Sequence, residues 1–78
     1  MEWTKVESSQ ISEVGYDPDT KTLGIRFKAK GKWPASEYEY KNVPEGLYKD
    51  LVSAESVGLF FATNIKNHLE TYTCMKVS

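Results

Sequence analysis

The clearest periodicity in the chain lies in "KTLGIRFKAKG", where Leu23, Ile25 and Phe27 alternate with Gly24, Arg26 and Lys28. That period of two marks a half-buried strand with one wet face. Upstream, "QISEVGY" is rich in strand-forming residues, and "DPDTK" between the two segments is dense in turn formers. The pattern predicts a hairpin in which Tyr16 pairs with Leu23 and Val14 with Ile25 on the core face. Glu13 then meets Arg26, and Gly15 meets Gly24, on the other face. A second loop, "GKWPAS", leads to "EYEYK", which completes a three-stranded antiparallel meander.

Beyond Tyr40 the period changes. Proline is tolerated in a first helical turn because its missing N–H would be unbonded there, so "NVPEGLYKDLVSA" reads as a helix capped near Asn42 or Val43. Leu47, Leu51 and Ala54 share one face of it. A second helix is predicted from Ser56 as cap, with Phe61, Ile65 and Leu69 spaced four apart and Phe60 widening the stripe. The tail "TYTCMKV" alternates again and reads as a short edge strand or a frayed end.

Parity orients the paired tyrosines of "SEYEYKNVP". Tyr38 and Tyr40 share one face, and Glu37, Glu39 and Lys41 share the other. Burying unpaired charges costs several kcal/mol each, whereas tyrosine rings gain apolar area and need only a partner for each hydroxyl. The tyrosines therefore point inward, against a reading of the pair as an open base-stacking platform. The fold class that follows is α+β: a three-stranded antiparallel sheet with two helices on one face, β-β-β-α-α, and a possible short C-terminal strand. The expected core is Val14, Tyr16, Leu23, Ile25, Phe27, Tyr38, Tyr40, Leu47, Leu51, Phe60, Phe61, Ile65 and Leu69.

Length and charge narrow the picture. Seventy-eight residues support one domain with a thin core. Ten basic and eleven acidic residues leave a net charge of −1, so any attraction to nucleic acid or anionic lipid must be local. The single cysteine, Cys74, cannot form an internal disulfide and suits a reducing compartment. No signal-peptide pattern opens the chain, and "GLFFA" is far below membrane-spanning length. A soluble cytoplasmic protein without membrane attachment is the expectation.

Taken together, "SSQISEVGYD", "TLGIRF", the central "YEY", "VPEGLYKDLVSAES" and "GLFF" resemble the KTSC domain over about residues 6 to 69. This family occurs at the carboxyl end of some lysyl-tRNA synthetases and as free-standing bacterial and phage proteins. The resemblance implies a small accessory module for which RNA binding has been suggested. Two departures stand out: Ala62 occupies the position where the family usually has asparagine, and "KWPAS" lengthens the loop before Tyr-x-Tyr.

Two surfaces are candidates for binding. In "RFKAKGKW" the cations Arg26, Lys28, Lys30 and Lys32 recur at every second residue, which in extended chain makes a positive stripe for weak, salt-sensitive contacts to RNA phosphates. The next strand, if its hairpin closes symmetrically, sets Glu37 opposite Lys30 and Glu39 opposite Lys28 and cancels much of that charge. Trp33, beside Pro34, is the other candidate. At a loop tip it would stack on a base or anchor a protein partner; folded back over the sheet edge it would extend the core. Gly15 and Gly24 either leave a bare patch of backbone or accommodate strand twist.

Catalysis finds little support. His68 and Cys74 lack an orienting partner or nucleophile motif, and Asp17 and Asp19 alone do not make a calcium loop. No phosphate-binding glycine loop or metal-ligand spacing is present, so neither cofactor nor metal is expected. The sequence therefore predicts a non-enzymatic binding module, directed at RNA or, through the Trp33 loop, at a protein.

Overall fold

The structure, a computed structural model, describes residues 1–68 and 70–77. Strands β1 (Glu2–Lys5), β2 (Ile11–Asp17), β3 (Thr22–Phe27) and β4 (Ser36–Tyr40) precede helices α1 (Glu45–Ser53) and α2 (Val57–Asn64). A single 3₁₀ turn, Lys66–His68, then leads to β5 (Cys74–Lys76). All five strands form one antiparallel sheet in the order β1-β2-β3-β4-β5.

The α+β class and the two helices agree with expectation, but the three-stranded sheet is corrected to five strands. The extra edge strand β1 gave no signal because its core-side residues, Glu2 and Thr4, are polar and exposed. Its one aromatic side chain, Trp3, belongs to the opposite face. The alternating tail does pair, as β5 against β4.

The β2–β3 register is the expected one, with Tyr16 opposite Leu23, Val14 opposite Ile25, Glu13 opposite Arg26 and Gly15 opposite Gly24. An irregularity follows at Ser12, so that Ile11 pairs with Phe27. That extra residue turns Ile11 to the same side as Val14, and both are fully buried. Strict alternation would have turned Ile11 outward, which is why it was missing from the expected core.

The inward face of the sheet meets the helices. Tyr40, Leu51, Phe61 and Ile65 are buried with the β2 and β3 residues, and Phe27, Tyr38, Leu47 and Phe60 pack against them half-buried. Leu69 lies outside the described residues. Val43 and Val57, both buried, flank the helix starts and complete the core. Tyr16 stacks on Tyr48 of α1 with centroids 4.9 Å apart, and its hydroxyl donates to the Val43 carbonyl. Burial holds the Tyr16 phenol above its ordinary range, with Glu45 and Asp17 adding to the effect.

Asn42 takes a positive φ of 64° and turns the chain from β4 into α1, whose N-cap is Pro44 with no side-chain cap. The expected cap at Asn42 or Val43 thus moves to the proline itself. Ser56 caps α2 as predicted, its hydroxyl accepting from the Leu59 N–H at 3.2 Å.

Candidate functional site

On the open face of the sheet, Arg26 is held from three directions. Its Nε donates to Glu37 at 2.9 Å, its Nη1 reaches Glu13 at 3.3 Å, and its guanidinium lies 3.8 Å from the centroid of the Trp3 ring. The bond to Glu37 is the main reason the guanidinium pKa is raised further. Beside it, Lys41 contacts Glu39 at 3.2 Å and the Thr22 hydroxyl at 3.3 Å. Exposed pairs of this kind add little stability, but they consume the charge that a ligand would need.

Trp3 explains the glycine pair. A Cβ on Gly24 would lie 2.6 Å from Trp3 Cη2 and 2.8 Å from Met1 Sδ, and one on Gly15 would lie 2.8 Å from Met1 Sδ and 3.0 Å from Trp3 Cδ2. Gly15 and Gly24 therefore form a shallow seat in which the N-terminal side chains rest on bare backbone. The expected bare patch exists as a surface and is covered by the chain itself. Two glycines facing each other across a strand pair, with an unassigned tryptophan upstream, were the signal in the sequence.

The positive stripe is not built as drawn. β3 ends at Phe27, and β4 pairs Glu37 with Arg26 and Glu39 with Gly24, so neither glutamate lies opposite Lys28 or Lys30. Lys28 turns back instead: its backbone N–H donates to the Gln10 carbonyl at 2.8 Å, and its ammonium donates to the Ser8 carbonyl at 2.6 Å. The shift has a simple cause. Lys30 and Trp33 form an isolated antiparallel bridge, with N–H···O distances of 2.8 and 2.9 Å, in the same register as Arg26 and Glu37. The hairpin closes on the two-residue turn Gly31-Lys32 rather than on a wide loop.

Gly31 has φ of +56° with nothing near its missing Cβ, the backbone state that favours glycine at the first central position of such a turn. Between this tip and the sheet, Pro34 has no N–H to extend the ladder. Residues 28–35 thus form a short arm that leaves the sheet. At its end Trp33 is 77 % exposed, with Lys30 and Lys32 exposed beside it. Lys30 and Lys32 enter no ion pair among the described residues. Of the two orientations open to Trp33, the structure adopts the outward one.

Other candidate chemistry stays dispersed. His68 lies in the 3₁₀ turn with Glu70 at 3.9 Å, and Cys74 pairs with Tyr40 in the β4–β5 ladder. An open cleft of about 460 Å³ between the β1–β2 loop and the start of α2 is lined by Glu7, Ser8, Ser9, Glu55 and Ser56, with Leu59 at its side. No group of three or more potential metal ligands occurs among the described residues. No helix is long and apolar enough to cross a membrane.

The chain is similar to several known proteins. A protein of Tsukamurella paurometabola is 42 % identical over 55 residues, covering 70 % of this chain and 75 % of the relative. A protein of Stutzerimonas stutzeri is 30 % identical over 61 residues, covering 78 % and 79 % respectively. The crystal structure of a KTSC domain protein from Yersinia pestis superposes with a TM-score of 0.83 at 36 % identity, covering 99 % of this chain and 97 % of that one. Residues 7–69 match the KTSC domain, a span that holds β2, β3, β4 and both helices. The chain belongs to the KTSC domain family.

Proposed function

We propose that this KTSC domain is a non-catalytic binding module that engages a protein partner through the arm of residues 28–35, with Trp33 as the anchor. One observation carries the reading: a tryptophan 77 % exposed on a tip whose backbone is fixed by two hydrogen bonds. A large rigid ring presented on ordered backbone gives much contact area at low entropic cost, which is the behaviour of interface anchors. Lys28, Lys30 and Lys32 give the arm three positive charges and no negative one, so the complementary surface has an apolar pocket with an acidic rim. A cytoplasmic setting goes with this reading; its support is the lone free thiol of Cys74.

RNA is the competing partner, and the open face weakens its case. The aromatic pair Tyr38 and Tyr40 faces the helices, and Arg26 is committed to Glu13 and Glu37. The test compares Trp33→Ala with the double reversal Lys28→Glu/Lys30→Glu, using nuclease-treated lysate and a single-stranded RNA oligonucleotide in parallel. Loss of a specific captured protein with Trp33→Ala, and no RNA binding at physiological salt, is the expected outcome. Binding to RNA that survives Trp33→Ala and disappears on charge reversal would replace the protein-partner reading with phosphate tracking.

A further inference from the structure

A cavity of about 310 Å³ opens between β4, β5 and the end of α2. Phe27, Tyr38, Tyr40 and Phe61 line it, with Cys74 and Lys66. Its size is that of a small-molecule pocket and well above the voids that close-packed interiors retain. The rings meet edge to face: Phe27 with Tyr38 at 5.7 Å and 81°, Phe27 with Phe61 at 5.7 Å and 65°, and Tyr40 with Phe61 at 5.3 Å and 75°. At these distances the rings pack against one another; Tyr40 and Phe61 are buried, and the ring surface left to a ligand is that of half-buried Phe27 and Tyr38.

The charge of the lining is one-sided. Lys66 is exposed and enters no ion pair among the described residues, and none of the six lining residues is acidic. Tyr40 stays protonated well beyond neutral pH because burial, and then its contact with Cys74, raise its pKa. It adds no negative charge to repel an anion. Tyr38 and Cys74 are only half-buried, so the cavity is reachable from solvent.

From this lining we propose that the cavity is a binding site for a small aromatic carboxylic acid, its ring against Phe27 and Tyr38 and its carboxylate at the Lys66 ammonium.

Phenylacetate serves as the probe, with phenylacetamide as its neutral isostere and acetate as the ringless control, in a backbone amide chemical-shift titration of the full chain. Phenylacetate is expected to shift Tyr38, Tyr40, Lys66 and Cys74 saturably, with Kd in the millimolar range appropriate to about ten heavy atoms. Phenylacetamide should bind about three- to fivefold more weakly, the factor available from one partly exposed ion pair, and acetate should leave these amides unmoved. Lys66→Gln, a surface change that leaves the thermal midpoint in place, should remove the difference between acid and amide. Alkylation of Cys74 by iodoacetamide should slow when phenylacetate saturates the wild-type protein. Equal binding of acid and amide by wild type, no saturable shift at these four amides, or an unchanged alkylation rate at saturation would each overturn the assignment.

Discussion

Trp3 and Trp33 are the chain's two tryptophans, and the same side chain has opposite surroundings in the two places. Trp3 is half-buried on a two-glycine seat, with the Arg26 guanidinium across its ring. Trp33 stands at the end of an arm held by one backbone bridge and is 77 % exposed. The seat fits the ring in shape, and Trp3 covers the bare backbone of Gly15 and Gly24 beneath the Arg26 guanidinium. The arm offers its ring no such surface, and the ring stays in solvent. What separates the seated tryptophan from the exposed one is therefore the backbone beneath it, and the glycines mark the difference.

The scale of the comparison is set by the buried side of the sheet. Tyr40→Ala should cost about 3 kcal/mol or more, the ordinary penalty for an aromatic truncated in a core, measured by urea unfolding. Gly24→Ala comes next, because its Cβ would enter the Trp3 ring at 2.6 Å and the Met1 thioether at 2.8 Å. Overpacking of that kind costs about 1–3 kcal/mol, and the cost should shrink in a Trp3→Ala background where the ring is gone. A Gly24→Ala penalty that persists undiminished without Trp3 would mean that the seat is not what the glycine provides. Trp3→Ala alone should cost about 1–2 kcal/mol, from half-buried apolar area and the lost guanidinium contact.

Alkaline pH probes the core side again. The Tyr40 phenol titrates above its ordinary 10.0 in the folded protein, chiefly through burial and then through Cys74. The neutral form is favoured by folding, so this stabilisation is whole below about pH 10 and declines above it, as the unfolded chain ionises first. Urea midpoints should fall as pH rises through that range, and Tyr40→Phe should flatten the decline.

Much of this was legible in the sequence, for identifiable reasons. Leu23, Ile25 and Phe27 alternate cleanly, and the Gly15–Gly24 and Glu13–Arg26 pairs follow from one hairpin register. Parity, with the cost of burying Glu37, Glu39 and Lys41, sent Tyr38 and Tyr40 inward. The parts that were not legible break local periodicity or reach across it. The extra residue at Ser12 reversed Ile11, and β1 carries its one aromatic residue on the face opposite the core. The lysine stripe assumed that extended chain continues past Phe27, whereas the Gly31-Lys32 turn and Pro34 divert it into the arm. Trp33 could be singled out but not oriented, because exposure depends on whether a receptive surface lies within reach.

The smallest stability effect belongs to the arm. Trp33→Ala should leave the unfolding free energy within about 0.5 kcal/mol of wild type, as surface substitutions do. The most direct test of the contrast between the two rings is acrylamide quenching of two single-tryptophan proteins, Trp3→Phe and Trp33→Phe, in buffer and in denaturing urea. With Trp33 alone, the quenching constant should be nearly the same folded and unfolded; with Trp3 alone, it should be low in the folded protein and rise on unfolding. A Trp33 emission shielded in the folded protein and released by urea would show that the ring packs against the domain, and would contradict the arm as a presented binding element.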